Sequence, residues 1–576
     1  MNRATGLFLL AAAILAVALY LAPLGPFAIF GSDTGEYYRL TAALLTTGHD
    51  PLASYGGWGF AYQDFPGIFL LSAATAGALG VDPLAALQTV IPVLAALSLV
   101  PLFLLFRRLV PNDRVALLGA AFATVAMPRA FSIAHPAPLA LGDFFVIAAL
   151  WMFLESRRDV RFYLPLSLTA AALVVTHHLS SYFFLVSALG GLLLLEMWRP
   201  GAWRRAFPLR ELVFVGAFAV GLLAFWFDYA RQFGSILDQG LFGIHLGFAG
   251  LAAAAIASVG VVGALVRLRR GRVGPRARSV RLPSDRSVLR DFAVLLVGGL
   301  GGAVLLVSVA LPGTEQTTTV GAVLFFLPLF LLIPFAAGSR RLVTLARSAP
   351  FAVTWLGAIG VSALVGIASQ SQVLLPARHA EYLLIPLSLL AALTLGWLLG
   401  RVGAARGRRA MWAGAVAVVV LVAANAAIVY PPPADLGGFQ EGLTYGDAAL
   451  WMWVGIGVPA NLTVASDHRL SSMVFGFDGN NATWDSTPAL FWGSSWNAAA
   501  AELNSSRAPH SYFHAVNVVA VDGVMRAGTA LDPGLLALPM SPAAVAWFEG
   551  PPFVPLYENG AQTVYWVVFP LPASVG

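Results

Sequence analysis

The chain has 576 residues, 59% of them hydrophobic and only 11% charged, with a mean hydropathy of +0.79, which excludes an ordinary soluble globular protein. Cysteine is absent, so disulfide frameworks, thiolate nucleophiles and cysteine-ligated metals are excluded, and redox compartment is left open. The formal net charge is +6 and the basic residues are all arginine.

Apolar runs near twenty residues long recur from Leu7 to Tyr430. Such runs suffice for helices crossing a hydrocarbon core of roughly 30 Å. The first follows Asn2 and Arg3, lacks a clear small-residue cleavage site, and is expected to stay as a first membrane helix. Hydropathy predicts about thirteen spans: 7–30, 84–106, 115–128, 139–154, 162–178, 181–198, 211–228, 247–266, 292–311, 320–338, 350–367, 380–400 and 411–430. Gly67–Gly80, between Pro66 and Asp82-Pro83, is too short to span and is expected to lie in the interface.

Between the first span and that segment lies Gly31–Pro66, GSDTGEYYRLTAALLTTGHDPLASYGGWGFAYQDFP. It holds Asp33, Glu36, Arg39, His49, Asp50 and Asp64, with the aromatics Tyr37, Tyr38, Tyr55, Trp58, Phe60 and Tyr62. Such a polar loop beside a membrane is either a site or an ordinary exposed connection. Asp33, tethered directly to the first helix, could take a proton from an incoming hydroxyl or amide, a role that typically contributes 10²–10⁴-fold. It could equally cap the helix starting near Glu36, because Asp followed three residues later by Glu resembles a capping box.

Arginine placement sets the expected topology. With the N-terminus in the cytoplasm, 27 arginines fall inside and 7 outside, a strong positive-inside bias. All nine histidines and the sequons at Asn461, Asn481 and Asn504 then fall outside. The arginine-rich stretch 267–290 reads as a cytoplasmic anchor beside anionic lipid rather than a nucleic-acid site.

Four arginines of the membrane region are expected on the outside: Arg39, Arg129, Arg231 and Arg378. A guanidinium binds phosphate through planar, bidentate contacts, so each is either a phosphate ligand or a headgroup-facing or ion-paired side chain. Thr176-His177-His178 ends one span, and His135-Pro136 lies in the preceding exterior loop. With Asp143 these could ligate a divalent ion or bind phosphate, although adjacent helical histidines point about 100° apart. After Pro431-Pro432-Pro433 the character changes to Gly/Pro/Asn turns and short β-type runs such as 462–465, 516–521 and 563–569. Glu558-Asn559-Gly560 reads as a turn joining two strands. Residues 431–576 are expected to form one exterior mixed α/β domain, and residues 1–430 the transmembrane domain with its first exterior loop 31–66 and interfacial helix 67–80.

These features together resemble the GT-C superfamily of integral-membrane glycosyltransferases. The residues carrying the likeness are Gly31-Ser-Asp-Thr-Gly-Glu-Tyr-Tyr-Arg after the first helix, Asp64-Phe-Pro-Gly, Thr176-His-His-Leu, Arg378-His-Ala-Glu-Tyr, and an exterior C-terminal domain ending in Leu-Tyr-Glu-Asn-Gly. The resemblance implies a polytopic α-helical cell-membrane protein that transfers sugar, with inversion, from a polyprenyl-(di)phosphate carrier to a glycan, lipid or protein acceptor on the exterior face. It makes Asp33 the catalytic base, with Glu36 as a second acid. Arg378, Arg39, Tyr382, His177 and His178 become ligands of the carrier phosphate, and Tyr37, Tyr38, Trp58, Asp64 and His135 contacts to substrate. The architecture looks like the oligosaccharyltransferase catalytic subunit, but its WWDYG motif is missing, Trp484-Asp485 being a fragment, and so is a paired-acid motif in the second exterior loop. A single-sugar, arabinosyl- or mannosyl-type relative is therefore expected, with a divalent ion such as Mg or Mn left open. The rival reading is a transporter or flippase of a lipid-linked or anionic solute, which would need ionisable groups at mid-membrane and pseudo-symmetric halves.

Overall fold

The structure is a computed structural model, and it describes residues 3–49, 57–59, 62–198, 207–238, 245, 247–272, 284–309, 320–338, 350–369, 374, 376–430, 441–504, 516–527, 530–531, 537–538 and 539–573. Asp50, Tyr55, Phe60, Pro431–Pro433, residues 273–283 of the 267–290 arginine stretch and the end of the Asn504 sequon lie outside the described residues.

The chain is a polytopic α-helical membrane protein. Among the described residues nine helices are long and apolar enough to cross a membrane: Arg3–Leu24, Pro83–Leu109, Pro138–Ser156, Leu209–Tyr229, Gly247–Leu268, Asp285–Ser308, Pro350–Ser369, Arg378–Arg406 and Arg408–Ala427. The other four predicted spans are also helical. Two fall on Val160–Thr176 and His178–Leu193, and 115–128 falls on Asp113–Val125. The fourth, 320–338, breaks into Val320–Phe325, Leu327–Leu332 and a 3-10 turn Ile333–Gly338. Pro328 and Pro334 explain the breaks, since proline withdraws a backbone donor and crowds the preceding turn. Gly67–Leu79 is a helix of 13 residues closed by Gly80 in the left-handed region.

Contacts divide the chain into two units. The first comprises Met1–Tyr20, Val93–Ala134 and Pro138–Val429. Here Arg378–Arg406 is 61% buried over its most apolar stretch, whereas only 6% of Asp285–Ser308 and of Arg408–Ala427 is. Helices that turn leucine and valine outward on nearly every side have lipid as their solvent. Gly190 and Gly191 lie against Ala358 and Phe351, so the 178–198 and 350–369 helices approach closely.

The second unit takes in Leu21–Pro92 and His135–Ala137 as well as Tyr430–Gly576, so it reaches back well before the boundary predicted at 431. Its centre is a mixed five-stranded sheet in the order Asn481–Ala482, Thr463–Ala465, Val516–Val521, Gln562–Val567, Phe553–Asn559. The first three strands run parallel and the last two pairings are antiparallel. The 553–567 hairpin turns at Gly560, whose φ of +65° suits glycine. Val464, Val518, Val519, Val564 and Phe553 line the core against Leu450 and Val454 of the Tyr445–Gly457 helix. Thr444 and Asp447 cap that helix reciprocally. Ile29–Phe30 pairs antiparallel with Gly442–Leu443, which ties the start of the predicted loop into this unit.

Candidate functional site

The loop begins under tight backbone control. Gln88 accepts the Phe30 N–H at 3.2 Å, and Glu441 accepts the Ser32 N–H at 2.7 Å. Gly31 adopts φ +130°, and a Cβ there would come within 2.6 Å of Thr34 Oγ1. Asp33 therefore leaves the strand at one defined angle, at the head of the Thr34–Thr47 helix.

Asp33 occupies the N-cap position but its side chain makes no cap hydrogen bond. The capping-box expectation thus fails, because both acids are engaged elsewhere. Glu36, 1% exposed, accepts the Trp58 N–H at 2.8 Å and the Gly59 N–H at 2.9 Å. It anchors the returning loop, and a Cβ on Gly59 would strike the Tyr62 ring at 2.0 Å.

The Asp33 carboxylate is held by three donors. Oδ2 accepts the hydroxyls of Tyr62 at 2.7 Å and Tyr37 at 3.2 Å, and Oδ1 lies 2.7 Å from His468 Nε2. Burial by itself would raise this carboxyl, but the hydrogen bond and charge of His468 and the two hydroxyls outweigh it and hold Asp33 below the ordinary carboxylate range. Both phenols are pushed well above their ordinary value, by burial first and then by neighbouring groups including Asp33, so they remain donors. Trp58 stands over the group, 44% exposed, with its ring edge-on to the His468 imidazole at 4.5 Å.

His468 comes from the short helix His468–Met473, which runs on into a π-turn, Val474–Asp478. Asp467 caps it, accepting the Leu470 N–H at 3.0 Å through Oδ1. Its Oδ2 accepts Arg469 Nε at 2.8 Å, and Arg469 Nη2 reaches Asp522 at 2.8 Å. In the sequence His468 is one of nine histidines expected outside, and no local pattern connects it to Asp33.

The remaining predicted contacts of this unit are placed as follows. Arg39 donates to the Phe475 carbonyl at 2.7 Å and lies over that ring at 4.3 Å. Tyr38 stacks on Phe477 at 4.3 Å, and Asp64 is buried in the 3-10 turn Tyr62–Asp64. His135 faces Phe30 edge-on at 6.1 Å.

The membrane unit carries its own polar cluster. His177 leaves the helical conformation, its Nδ1 accepting the Ser180 N–H at 3.3 Å, and Ser180 Oγ lies 2.5 Å from the Tyr382 hydroxyl. The His178 ring packs on His177 at 4.9 Å and Phe233 at 4.3 Å. Arg378 is exposed and within electrostatic reach of His177, His178 and Glu381. Arg129 is fully buried, which fits the ion-paired alternative and not an open phosphate ligand. Its guanidinium grips Asp143 through Nε at 3.2 Å and Nη2 at 2.5 Å, and it donates further to the Ala123 carbonyl and Ser98. Arg129 and Asp143 satisfy one another, which removes Asp143 from the suggested histidine–metal set. Among the described residues no three His, Cys, Asp or Glu side chains converge as a metal site requires.

The fold is GT-C-like, as its likeness to solved structures shows. The oligosaccharyltransferase of Archaeoglobus fulgidus, solved with an inhibitory peptide and a dolichol-phosphate, matches with a TM-score of 0.57 at 15% identity over 91% of this chain and 70% of that one. The same enzyme complexed with Zn and sulfate matches at 0.56 and 14% identity, over 97% and 73%. Tethered to an acceptor peptide it matches at 0.54 and 14% identity, over 90% and 69%. At these identities the likeness is one of fold. No protein-family profile and no curated sequence matches the chain.

Proposed function

We propose that the protein is an inverting membrane glycosyltransferase that moves a sugar from a polyprenyl-(di)phosphate carrier to a hydroxyl or amide acceptor, with Asp33 as base. The observation that carries this reading is the Asp33 carboxylate, held ionised by three donors and partly open beneath the exposed Trp58. The GT-C-type fold supplies the class, since its solved relative binds dolichol-phosphate and acceptor peptides.

The acceptor would lose its proton to Asp33 as its oxygen or nitrogen attacks the anomeric carbon. The bond from that carbon to the carrier phosphate breaks, and the phosphate leaves with the electron pair. General base assistance of this kind typically contributes 10²–10⁴-fold. Trp58 offers a face for a sugar ring, and a membrane-held donor supplies orientation before chemistry begins. Arg378 and the adjoining histidines are the proposed ligands of the carrier phosphate, because a guanidinium matches phosphate oxygens bidentately. The second unit and the Asp33 loop are proposed to face the exterior, with the N-terminus in the cytoplasm, as the arginine bias favours.

The test is Asp33→Asn in membranes given radiolabelled long-chain polyprenyl-phosphate mannose or arabinose. Transfer is expected to fall at least about 10²-fold at normal protein level. Undiminished transfer by the variant rules the assignment out.

A further inference from the structure

We infer that His468 is the positioning residue of Asp33, fixing the plane of the carboxylate and thereby the direction in which it accepts the acceptor's proton. The inference rests on the reading of Asp33 as base.

The two oxygens of Asp33 are held from different parts of the chain. Oδ2 takes both tyrosine hydroxyls, from the 34–47 helix and the returning loop. Hydroxyls on one oxygen alone leave the carboxylate free to rotate about its terminal torsion, which is broad for aspartate. His468 Nε2 supplies the contact at Oδ1, at 2.7 Å, and closes that freedom. A carboxylate oxygen accepts about two hydrogen bonds, so Oδ1, with the single contact to His468, retains capacity toward an incoming acceptor.

The imidazole is itself immobilised at some expense. It lies at the first turn of a helix whose cap, Asp467, is locked by the buried Arg469, and Arg469 in turn is locked by Asp522. An ion triad of this kind contributes little net stability for the desolvation it incurs, so fixing geometry is its better-attested use. The edge of Trp58 closes the remaining side. The ionisable groups around this contact are Asp33 itself, the Tyr37 and Tyr62 hydroxyls on its other oxygen and Glu36 at the Trp58–Gly59 turn, with Asp467 and Arg469 beside His468 in the chain and Asp522 paired to Arg469. Asp33 is the anion in direct contact. Without the imidazole, burial is the largest influence left on Asp33 and drives its carboxyl upward.

The experiment compares the full-length parent, His468→Gln and His468→Ala in membranes with the same two labelled donors, reading kcat and KM against pH. Glutamine retains an N–H donor but does not titrate. The expected result is a kcat at least tenfold lower for His468→Ala with donor KM unchanged. The acid limb should move to higher pH, and His468→Gln should recover most of kcat. An unmoved acid limb and parental kcat in His468→Gln and His468→Ala overturn the inference, while an inactive Asp33→Asn leaves the base assignment standing. If the alanine variant is not recovered from membranes, the glutamine variant decides: its acid limb must shift. If neither donor is used by the parent, the acid step is read from tryptophan fluorescence as the transition absent from Asp33→Asn. That step must move up in the His468 variants, and an unmoved step overturns the inference.

Discussion

Gly35 and Gly476 meet backbone to backbone: a Cβ on Gly476 would lie 2.0 Å from the Gly35 carbonyl oxygen, and one on Gly35 would lie 2.1 Å from the Ser472 carbonyl oxygen. This crossing brings the helix headed by Asp33 against the segment that carries His468. Its tolerance is less than a methyl group.

Gly476→Ala is therefore expected to force the two segments apart, because the clash is with backbone and no side chain can swing away. Overpacking of this sort costs roughly 1–3 kcal/mol. The larger effect should be on chemistry, since a 2.7 Å contact lengthened by the width of a methyl is no longer a hydrogen bond. Transfer should fall about tenfold or more, and the acid limb should shift as it does for His468→Gln. A variant with parental rate and pH profile would show that the crossing does not set the Asp33–His468 distance.

Arg469 is 0% exposed and neutralises Asp467 and Asp522. Arg469→Met would leave two carboxylates buried without their cation, a loss on the order of 3–5 kcal/mol. Burial already raises Asp467, and Arg469 is the strongest influence opposing it. Removing the arginine raises the folded-state value further, so the folded variant binds protons more readily than the unfolded chain. The deficit should therefore be greatest near pH 8 and shrink toward pH 5. Thermal unfolding of the solubilised protein at the two values measures this, and a deficit independent of pH would contradict it.

Apolar runs made the membrane helices legible by length and hydropathy: nine of the predicted spans fall on helices long and apolar enough to cross a membrane among the described residues, while 320–338 breaks at its prolines. Asp33 was legible for a related reason: an acid placed directly after an apolar run stands out. Its partner was not. His468 lies 435 residues away, and the pairing depends on two glycines that nothing distinguishes among 57. Local pattern also misled at Asp33 and Glu36, where the capping spacing is present but tertiary donors at the Trp58–Gly59 turn and at His468 claim both carboxylates. For Arg129 the sequence leaves phosphate ligand and ion pair both open, and only the folded bundle shows its ion pair with Asp143.

Tyr62 and Tyr37 both donate to Asp33 Oδ2, at 2.7 and 3.2 Å. The shorter bond is expected to matter more. Tyr62→Phe removes one favourable contact to the ionised carboxylate, worth about 1.5–3 kcal/mol for a bond to a charged group. The acid limb of transfer should move up in pH, further than in Tyr37→Phe. An equal shift in the two variants would mean that neither hydroxyl is specific to the carboxylate.

Asp478 closes the π-turn that follows the His468–Met473 helix, and burial pushes its carboxyl up to about 7. Its Oδ2 has no hydrogen-bond partner among the described residues. An acid whose folded-state value lies above its unfolded value favours the folded state when protonated. That contribution is complete at acidic pH, below the unfolded value, and is lost as pH rises toward 7. Above pH 7 the native chain carries a poorly compensated anion. Asp478→Asn should remove this slope and stabilise the protein above pH 7, by about 1 kcal/mol once partial solvent exposure is allowed for. Below pH 4 the parent and variant should unfold at the same temperature. A variant destabilised at pH 8 would show that the Asp478 anion has a cation or donor holding it in the folded protein.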